Sequence, residues 1–359
     1  MTPVRSGGPL LYALLLVAAS ASPAQGFGKF RRRKAPSPYI KLLARGAKKM
    51  KSGDLNGAVR LFGEAIALKP GDGRAYYQRG VCLARQRKTA AAERDYRAAI
   101  QRNPKLTQAQ NNLGALLTEQ GKAKLAVGYL QIAVKQKPRY AEAWFNLGLA
   151  LSELRRYRAA ADAYRKAVKL SPRDVDVRIN LGATLQRLKD LDGALKHLGK
   201  AVALRPRDAL ARCGYGELLA AKGRYAEARK QLETTTRIKP TYVRGWRSLA
   251  RVWVAQKNYK AALAALRRGQ KRLPREPALR AAVGVVYRRW GKPQEAIAAY
   301  RRALAIDGTY VRAHLLIGLA EAARGRCKAA EKAFRRFVAG RPGLGSEAMK
   351  KLMRRCKGK

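Results

Sequence analysis

Small and apolar residues recur along the chain at intervals of 34 residues, in nine successive repeats that span residues 39–344. Counted from residue 39, position 20 of every repeat is alanine: Ala58, Ala92, Ala126, Ala160, Ala194, Ala228, Ala262, Ala296 and Ala330. Position 24 is large and apolar in every repeat: Phe62, Tyr96, Leu130, Tyr164, Leu198, Leu232, Leu266, Tyr300 and Phe334. A period of this length, kept in phase over nine repeats, indicates that each repeat is one structural element stacked on its neighbours.

Two further positions indicate what one repeat contains. Position 8 is small: Gly46, Gly80, Gly114, Gly148, Gly182, Gly216, Ala250, Gly284 and Gly318. Position 32 is Gly308 in the eighth repeat and proline in the others: Pro70, Pro104, Pro138, Pro172, Pro206, Pro240, Pro274 and Pro342. Because proline ends a helix, and small residues let two helices approach closely, each repeat is predicted to be an antiparallel helix pair. Stacked pairs predict an all-α, right-handed superhelical solenoid.

The fourth repeat carries the fullest version of this pattern: Trp144, Leu147, Gly148, Leu151, Ala160, Tyr164, Ala167 and Pro172. The pattern resembles that of the tetratricopeptide repeat family, and the resemblance covers residues 39–344. It implies a non-catalytic scaffold that binds other proteins, with no cofactor. The first helices of successive repeats would line a concave groove.

In that family, positions 2, 5, 9, 12 and 13 of each repeat face the groove, and this register implies two different surfaces. Repeats 3 to 6 contribute a mixed to acidic set: Asn111, Glu119, Glu142, Phe145 and Asp176. Repeats 7 to 9 contribute arginines: Arg244, Arg247, Arg251, Arg288 and Arg312. A guanidinium binds carboxylates bidentately, so the expected partner is a protein or extended peptide with an acidic segment. Ordinary solvated arginines are the alternative interpretation.

The net charge adds a second hypothesis. The chain has 78 Lys plus Arg against 23 Asp plus Glu, a formal charge of +55 and a pI near 11.2. Basic pairs recur on the second helices of the repeats: Arg165–Lys166, Arg229–Lys230, Arg267–Arg268, Arg301–Arg302 and Arg335–Arg336. Such a surface attracts polyanions, so a protein that binds envelope polymer, anionic lipid or nucleic acid is the alternative function. A basic surface without a ligand explains the same composition.

The two ends of the chain differ from the repeats. Residues 1–24 are predicted to be a signal peptide, because an apolar run from Leu10 to Ala19 follows Arg5 and precedes small residues. Cleavage near Ala21 or Ala24 predicts an exported protein, periplasmic or secreted; an uncleaved anchor is the alternative. Residues 25–38 are predicted to be a basic flexible linker, and residues 345–359 a C-terminal capping helix with a basic tail.

The residue types that carry catalysis are scarce. Four cysteines and two histidines are present, none in a zinc-ligand spacing, and no phosphate-binding or hydrolase motif occurs. Cys327 begins the second helix of repeat 9, and Cys356 lies near the end of the predicted capping helix, which should run antiparallel to it. We therefore hypothesise a disulfide between Cys327 and Cys356, consistent with an oxidising compartment. Two unpaired thiols are the alternative.

Overall fold

The chain was examined as a computed structural model, which describes residues 36–340. Over this range it forms eighteen α-helices and no strand. The helices are α1 (Pro38–Lys51), α2 (Leu55–Leu68), α3 (Gly73–Arg85), α4 (Thr89–Arg102), α5 (Thr107–Glu119), α6 (Ala123–Gln136), α7 (Ala141–Glu153), α8 (Tyr157–Leu170), α9 (Val175–Arg187), α10 (Leu191–Leu204), α11 (Ala209–Ala221), α12 (Tyr225–Ile238), α13 (Val243–Ala255), α14 (Tyr259–Arg272), α15 (Pro277–Arg289), α16 (Pro293–Ile306), α17 (Arg312–Ala323) and α18 (Cys327–Ala339). Odd-numbered helices are the first helix of a repeat and even-numbered helices the second. No helix within residues 36–340 is long and apolar enough to cross a bilayer.

The chain divides into two compact units at Leu188 and Lys189. Helices α1 to α9 belong to the first unit, and α10 to α18 belong to the second. Within each unit, the two helices of a pair pack against each other, and each pair packs against the next. The predicted all-α fold of consecutive helix pairs is therefore confirmed.

The repeated small residues lie where the two helices of a pair meet. The nine position-20 alanines have no exposed surface, and the nine position-24 side chains are at most 3% exposed. A Cβ atom built on Gly148 would lie 2.4 Å from the Tyr164 ring, and one on Gly284 would lie 2.4 Å from the Tyr300 ring. Only glycine therefore allows these large side chains to pack against the backbone of the facing helix.

The turn inside each repeat has the same backbone conformation throughout the described chain. Position 15 has a positive φ in all nine repeats, and in five of them it is glycine. The other four are Arg87, Arg155, Lys189 and Lys257, with φ between 57° and 64°. An L residue with a Cβ is disfavoured in this left-handed region. The repeat geometry therefore imposes the turn on sequences that do not favour it locally.

The connection from one repeat to the next is closed by a side chain at position 4. The indole N–H of Trp144 donates to the carbonyl of Pro138, and that of Trp246 donates to the carbonyl of Pro240, both at 2.8 Å. The amide of Gln110 makes the same bond to the carbonyl of Pro104. These bonds satisfy a carbonyl that the helix end leaves without a partner.

The cysteines fall into two groups. Cys82 and Cys213 are free and fully buried, and burial raises the pKa of Cys82 to about 11 and that of Cys213 to about 12. Both thiols are therefore protonated at neutral pH. Cys327 is disulfide-bonded. Cys356, its hypothesised partner, lies outside the described residues, and so does the predicted capping helix.

Candidate binding surface

All ten residues expected in the groove lie on first helices. The set from the first unit occupies α5, α7 and α9, and the arginines of the second unit occupy α13, α15 and α17. Their exposure differs widely. Asn111 is fully buried, whereas Glu119 and Arg312 are exposed, and most of the others are half-buried.

In the first unit, Asn111 is part of a buried hydrogen-bond network. Its amide donates to the hydroxyl of Tyr140 at 3.2 Å and to a carboxylate oxygen of Glu142 at 3.4 Å. The amide of Asn146 donates to the Asn111 side-chain oxygen at 2.8 Å. Because buried amides need hydrogen-bond partners, this network joins α5 to α7 inside the stack and leaves Asn111 little capacity for a partner.

The other expected groove residues of the first unit are more accessible. Phe145 is half-buried and contacts Tyr164, with the ring centroids 5.9 Å apart. Glu119 is exposed at the end of α5, and Asp176 is half-buried in the first turn of α9. A carboxylate near a helix N-terminus is favoured by the helix dipole, which gives Asp176 a structural role as well.

In the second unit, one carboxylate, that of Glu217, holds two of the arginines. Glu217, on α11, accepts hydrogen bonds from the guanidinium of Arg244, including one of 3.1 Å from Nε, and from the hydroxyl of Ser248. Arg251 donates to the same carboxylate at 3.0 Å. The Glu217 side chain is only 10% exposed, and that of Arg251 is 68% exposed. Arg244 and Arg251 are therefore already ion-paired within the chain.

The titration of Glu217 reflects this pairing. Burial by itself raises its pKa, but the hydrogen bonds and charge of Arg244, with Ser248 and Arg251, outweigh burial and hold the pKa below its usual range. The same carboxylate raises the pKa of Arg244, against the opposing effect of burial. The ion pair is therefore fully charged at neutral pH.

Arg247 is in a different environment. Burial lowers its pKa, and the charges of Arg312 and Arg251 lower it further. No described residue forms an ion pair with Arg247 or Arg312. Two like charges held near each other, one of them half-buried, form a site of positive potential that a bound carboxylate would stabilise.

Arg288 is the fifth predicted arginine. Its Nε atom is buried without a hydrogen-bond partner. The side chain lies close enough to Tyr300 to lower the pKa of that hydroxyl, although burial raises it by more. Arg288 thus contributes a positive charge on α15, with its Nε atom enclosed by the chain.

The basic pairs on the second helices are mostly exposed. Several are weakly paired with acids one turn away: Arg165 contacts Asp162 at 2.7 Å and Arg335 contacts Glu331 at 2.7 Å. Exposed pairs of this kind contribute little to stability. Arg301 and Arg302 are exposed and have no ion pair with any described residue.

Metal-ligand clusters and the histidine of the last described repeat were the remaining candidates for a chemical site. Residues 36–340 contain no group of three or more His, Cys, Asp or Glu side chains placed to hold a metal ion. His314 occupies position 4 of its repeat, and burial and the charge of Arg336 lower its pKa. It is therefore uncharged at neutral pH.

Comparisons with known proteins agree with the repeat pattern. Two models of the tetratricopeptide repeat match, one over residues 43–107, 111–175 and 284–344 and the other over residues 151–212, 185–247 and 219–285. Together the matches span most of the chain. No curated protein sequence matches it.

Several solved structures are similar to parts of this chain. A tetratricopeptide repeat protein from Parabacteroides merdae aligns with 69% of this chain and 98% of its own, with a TM-score of 0.51 and 18% identity. YrrB, described as having an unusual peptide-binding site, aligns with 51% of this chain and 95% of its own, with a TM-score of 0.45 and 24% identity. MamA from Desulfovibrio magneticus RS-1 aligns with 48% of this chain and 99% of its own, with a TM-score of 0.45 and 26% identity.

Proposed function

Because the chain belongs to the tetratricopeptide repeat family, whose members bind protein or peptide partners and are generally non-catalytic, we propose that it is an exported scaffold that binds an acidic protein segment. The binding surface in this proposal is the face of the second unit formed by the first helices α13 and α17. The observation that carries it is the guanidinium of Arg247, which is half-buried, forms no ion pair with a described residue and is repelled by the charge of Arg312.

Arg247 and Arg312 differ from Arg244 and Arg251 in that only the latter two form ion pairs within the described chain. Arg244 and Arg251 already bind Glu217, so an acidic partner would have to compete with an internal carboxylate for them. Arg247 forms no ion pair with a described residue, and burial and the charge of Arg312 lower its pKa by more than Tyr310 and Glu217 raise it. An incoming carboxylate would offset both effects, because charge-assisted bidentate hydrogen bonds to guanidinium are among the stronger polar contacts. Arg288, which is half-buried on α15, would add a further positive charge.

A double substitution tests the site. We expect Arg247→Gln with Arg312→Gln to weaken binding of a fluorescein-labelled deca-glutamate peptide by about tenfold, the equivalent of losing one charge-assisted contact. The measurement is fluorescence anisotropy at an ionic strength of about 0.15 M, where distant charges are screened. Because the native environment disfavours the Arg247 charge, the variant should fold normally.

The matched control removes the same charge elsewhere. Arg301→Gln with Arg302→Gln neutralises two exposed arginines of α16, a second helix. A protein of this net charge attracts any acidic peptide, so the control measures that general attraction. If both double variants lose affinity to the same extent, the site on α13 and α17 is wrong.

Export is the second part of the proposal, and it is supported by the apolar run and small residues near the N-terminus. Expression of the full chain in a bacterial host with a periplasm should yield a mature protein in the periplasmic fraction. Its intact mass is expected to lack the first 21 or 24 residues. Recovery of the uncleaved chain in the cytoplasmic fraction would contradict export.

A further inference from the structure

A cleft lies on the other side of the second unit, between the second helices α12 and α14. It has a volume of about 750 Å³, within the range of sites that hold small ligands. Its lining comes from α12, the following turn, α13 and α14: Glu233, Thr236, Arg237, Pro240, Trp246, Arg268, Lys271 and Arg272. We call it the outer cleft. None of the groove residues discussed above lines it.

The wall of the outer cleft is fixed by Trp246. This side chain is 6% exposed, and its indole N–H donates to the carbonyl of Pro240 at 2.8 Å. A Cβ atom at Gly269 would lie 2.8 Å from the Trp246 ring, so the indole rests directly on the backbone of α14. The wall formed by Trp246 is therefore held by packing and by a hydrogen bond.

Four cations line this cleft, and none of them is neutralised. Arg268, Lys271 and Arg272 are three and four residues apart, so they share one face of α14. Arg237 faces the same cleft from α12. No described residue forms an ion pair with any of these four.

The lining also contains one acid, Glu233, so four cations and one carboxylate leave a formal charge of +3. The carboxylate of Glu233 lies 3.9 Å from Nε of Arg229, which is outside the lining. In the fourth repeat, where Trp144 makes the same bond to Pro138, the position of Arg272 is taken by Leu170. The full set of four cations therefore distinguishes the cleft of the second unit.

The positive charges that line the outer cleft indicate which kind of ligand it would bind. Four like charges around one concavity favour an anion that carries several charges in a small volume. A phosphate group carries nearly two charges and three acceptor oxygens at neutral pH, and guanidinium groups bind it bidentately. An acidic peptide carries one charge per side chain and spreads them over a longer distance. A nearly buried indole offers no ring face for base stacking.

We infer that the outer cleft is a binding site for a soluble anion that carries several phosphate groups. This inference is independent of the peptide site proposed on α13 and α17. A soluble ligand is favoured over a lipid headgroup because the cations line a concavity that a free anion can enter.

The test uses inorganic tripolyphosphate and the full-length protein in isothermal titration calorimetry at an ionic strength of about 0.15 M. The cleft variant is Arg268→Ala, Lys271→Ala and Arg272→Ala. The control variant is Arg267→Ala, Arg301→Ala and Arg302→Ala, which removes three positive charges from exposed residues outside the lining. The cleft variant is expected to bind at least about tenfold more weakly than the unaltered protein, and the control within about threefold of it.

Three results would overturn the inference. One is the absence of tripolyphosphate binding to the unaltered protein. Another is an equal loss in the two variants, which would mean general attraction by a basic surface. A third is cleft-dependent binding to phosphatidylglycerol vesicles without binding of tripolyphosphate, which would make a membrane the ligand. Since all six substituted residues are exposed, circular dichroism should show unchanged helix content.

Discussion

Glu217→Gln is expected to lower the free energy of unfolding of the second unit by about 3 kcal/mol, because it leaves a partly buried charge without its counter-charge. Glu217 is 10% exposed and Arg244 is 29% exposed, so water can stabilise the orphaned guanidinium only in part. The amide keeps Oε1 as an acceptor for the hydroxyl of Ser248, but its NH2 group replaces the oxygen that accepts from Nη2 of Arg244. Urea unfolding followed by tryptophan fluorescence reports mainly on this unit, since three of the four tryptophans, Trp246, Trp253 and Trp290, lie in it.

A control substitution and a series of pH values separate the contribution of the Glu217 ion pair to stability from the general effect of removing a carboxylate. Glu331→Gln removes a carboxylate from an exposed pair, with Arg335 70% exposed, and should change stability by less than about 1 kcal/mol. The folded pKa of Glu217 is lowered, so its stabilising effect is complete above the unfolded pKa of roughly 4.3. It is lost as the pH falls through the folded value. A difference between Glu217→Gln and the unaltered protein that stays constant from pH 7 to pH 3 would contradict this account.

Tyr164→Ala is expected to destabilise the first unit by about 3–5 kcal/mol, because it removes a fully buried aromatic ring and leaves a cavity. Tyr164 has no exposed surface and packs against Phe145 and the backbone at Gly148. Tyr164→Phe is the control. It removes only the hydroxyl, which lies 3.4 Å from that of Ser152, and should cost about 1 kcal/mol or less. Urea unfolding followed by circular dichroism gives both values.

Gly148→Ala tests the contact between Gly148 and the Tyr164 ring. Its effect on stability should have opposite signs in the unaltered protein and in the Tyr164→Ala background. In the unaltered protein, the added Cβ would lie 2.4 Å from the Tyr164 ring, and overpacking should cost about 1–3 kcal/mol. In the Tyr164→Ala background that clash is gone, so the same substitution should stabilise by up to about 1 kcal/mol through helix propensity. Gly128→Ala should stabilise both backgrounds equally, since no atom lies within 4 Å of its Cβ position. Additive effects of Gly148→Ala and Tyr164→Ala would contradict the packing.

The repeat pattern was enough to predict the fold. In the first seven repeats, the proline at position 32 explains where the second helix ends, because the helical region is disfavoured for the residue before a proline. Lys137, which precedes Pro138, accordingly has a φ of −133° and a ψ of 80°. The alanines at position 20 and the glycines at position 8 likewise predict that the two helices of a repeat approach closely. The burial of Ala160 and the short distance from Gly148 to the Tyr164 ring confirm this.

Other features were beyond the reach of the pattern. Arg155 has a left-handed conformation that its residue type disfavours, and only the glycines at the same position of other repeats hint at it. The repeat register places Arg244 and Arg251 in the groove, where they were expected to bind a partner. Their pairing with Glu217 depends on how α11 and α13 stack. One signal was present, because Glu217 and Arg251 are 34 residues apart and so occupy the same position in adjacent repeats.

Asn111 shows a similar limit. Its position predicts a groove-facing side chain, but the structure buries it between Asn146 and Tyr140. A register identifies the face of a helix. It does not reveal whether a neighbouring side chain already satisfies the polar group, which depends on the distance between stacked helices. The distance between stacked helices likewise decides why Arg251 is paired with Glu217 and Arg247 is not.

The central claim is that an acidic segment binds to the first helices of the second unit. A deca-glutamate peptide with a benzophenone group at one end tests it directly, because photolysis followed by peptide mass spectrometry identifies the helices it contacts. The account predicts cross-links in α13 and α17, and their loss in the variant that combines Arg247→Gln with Arg312→Gln. Cross-links confined to the second helices α14, α16 and α18, and unchanged in that variant, would contradict it.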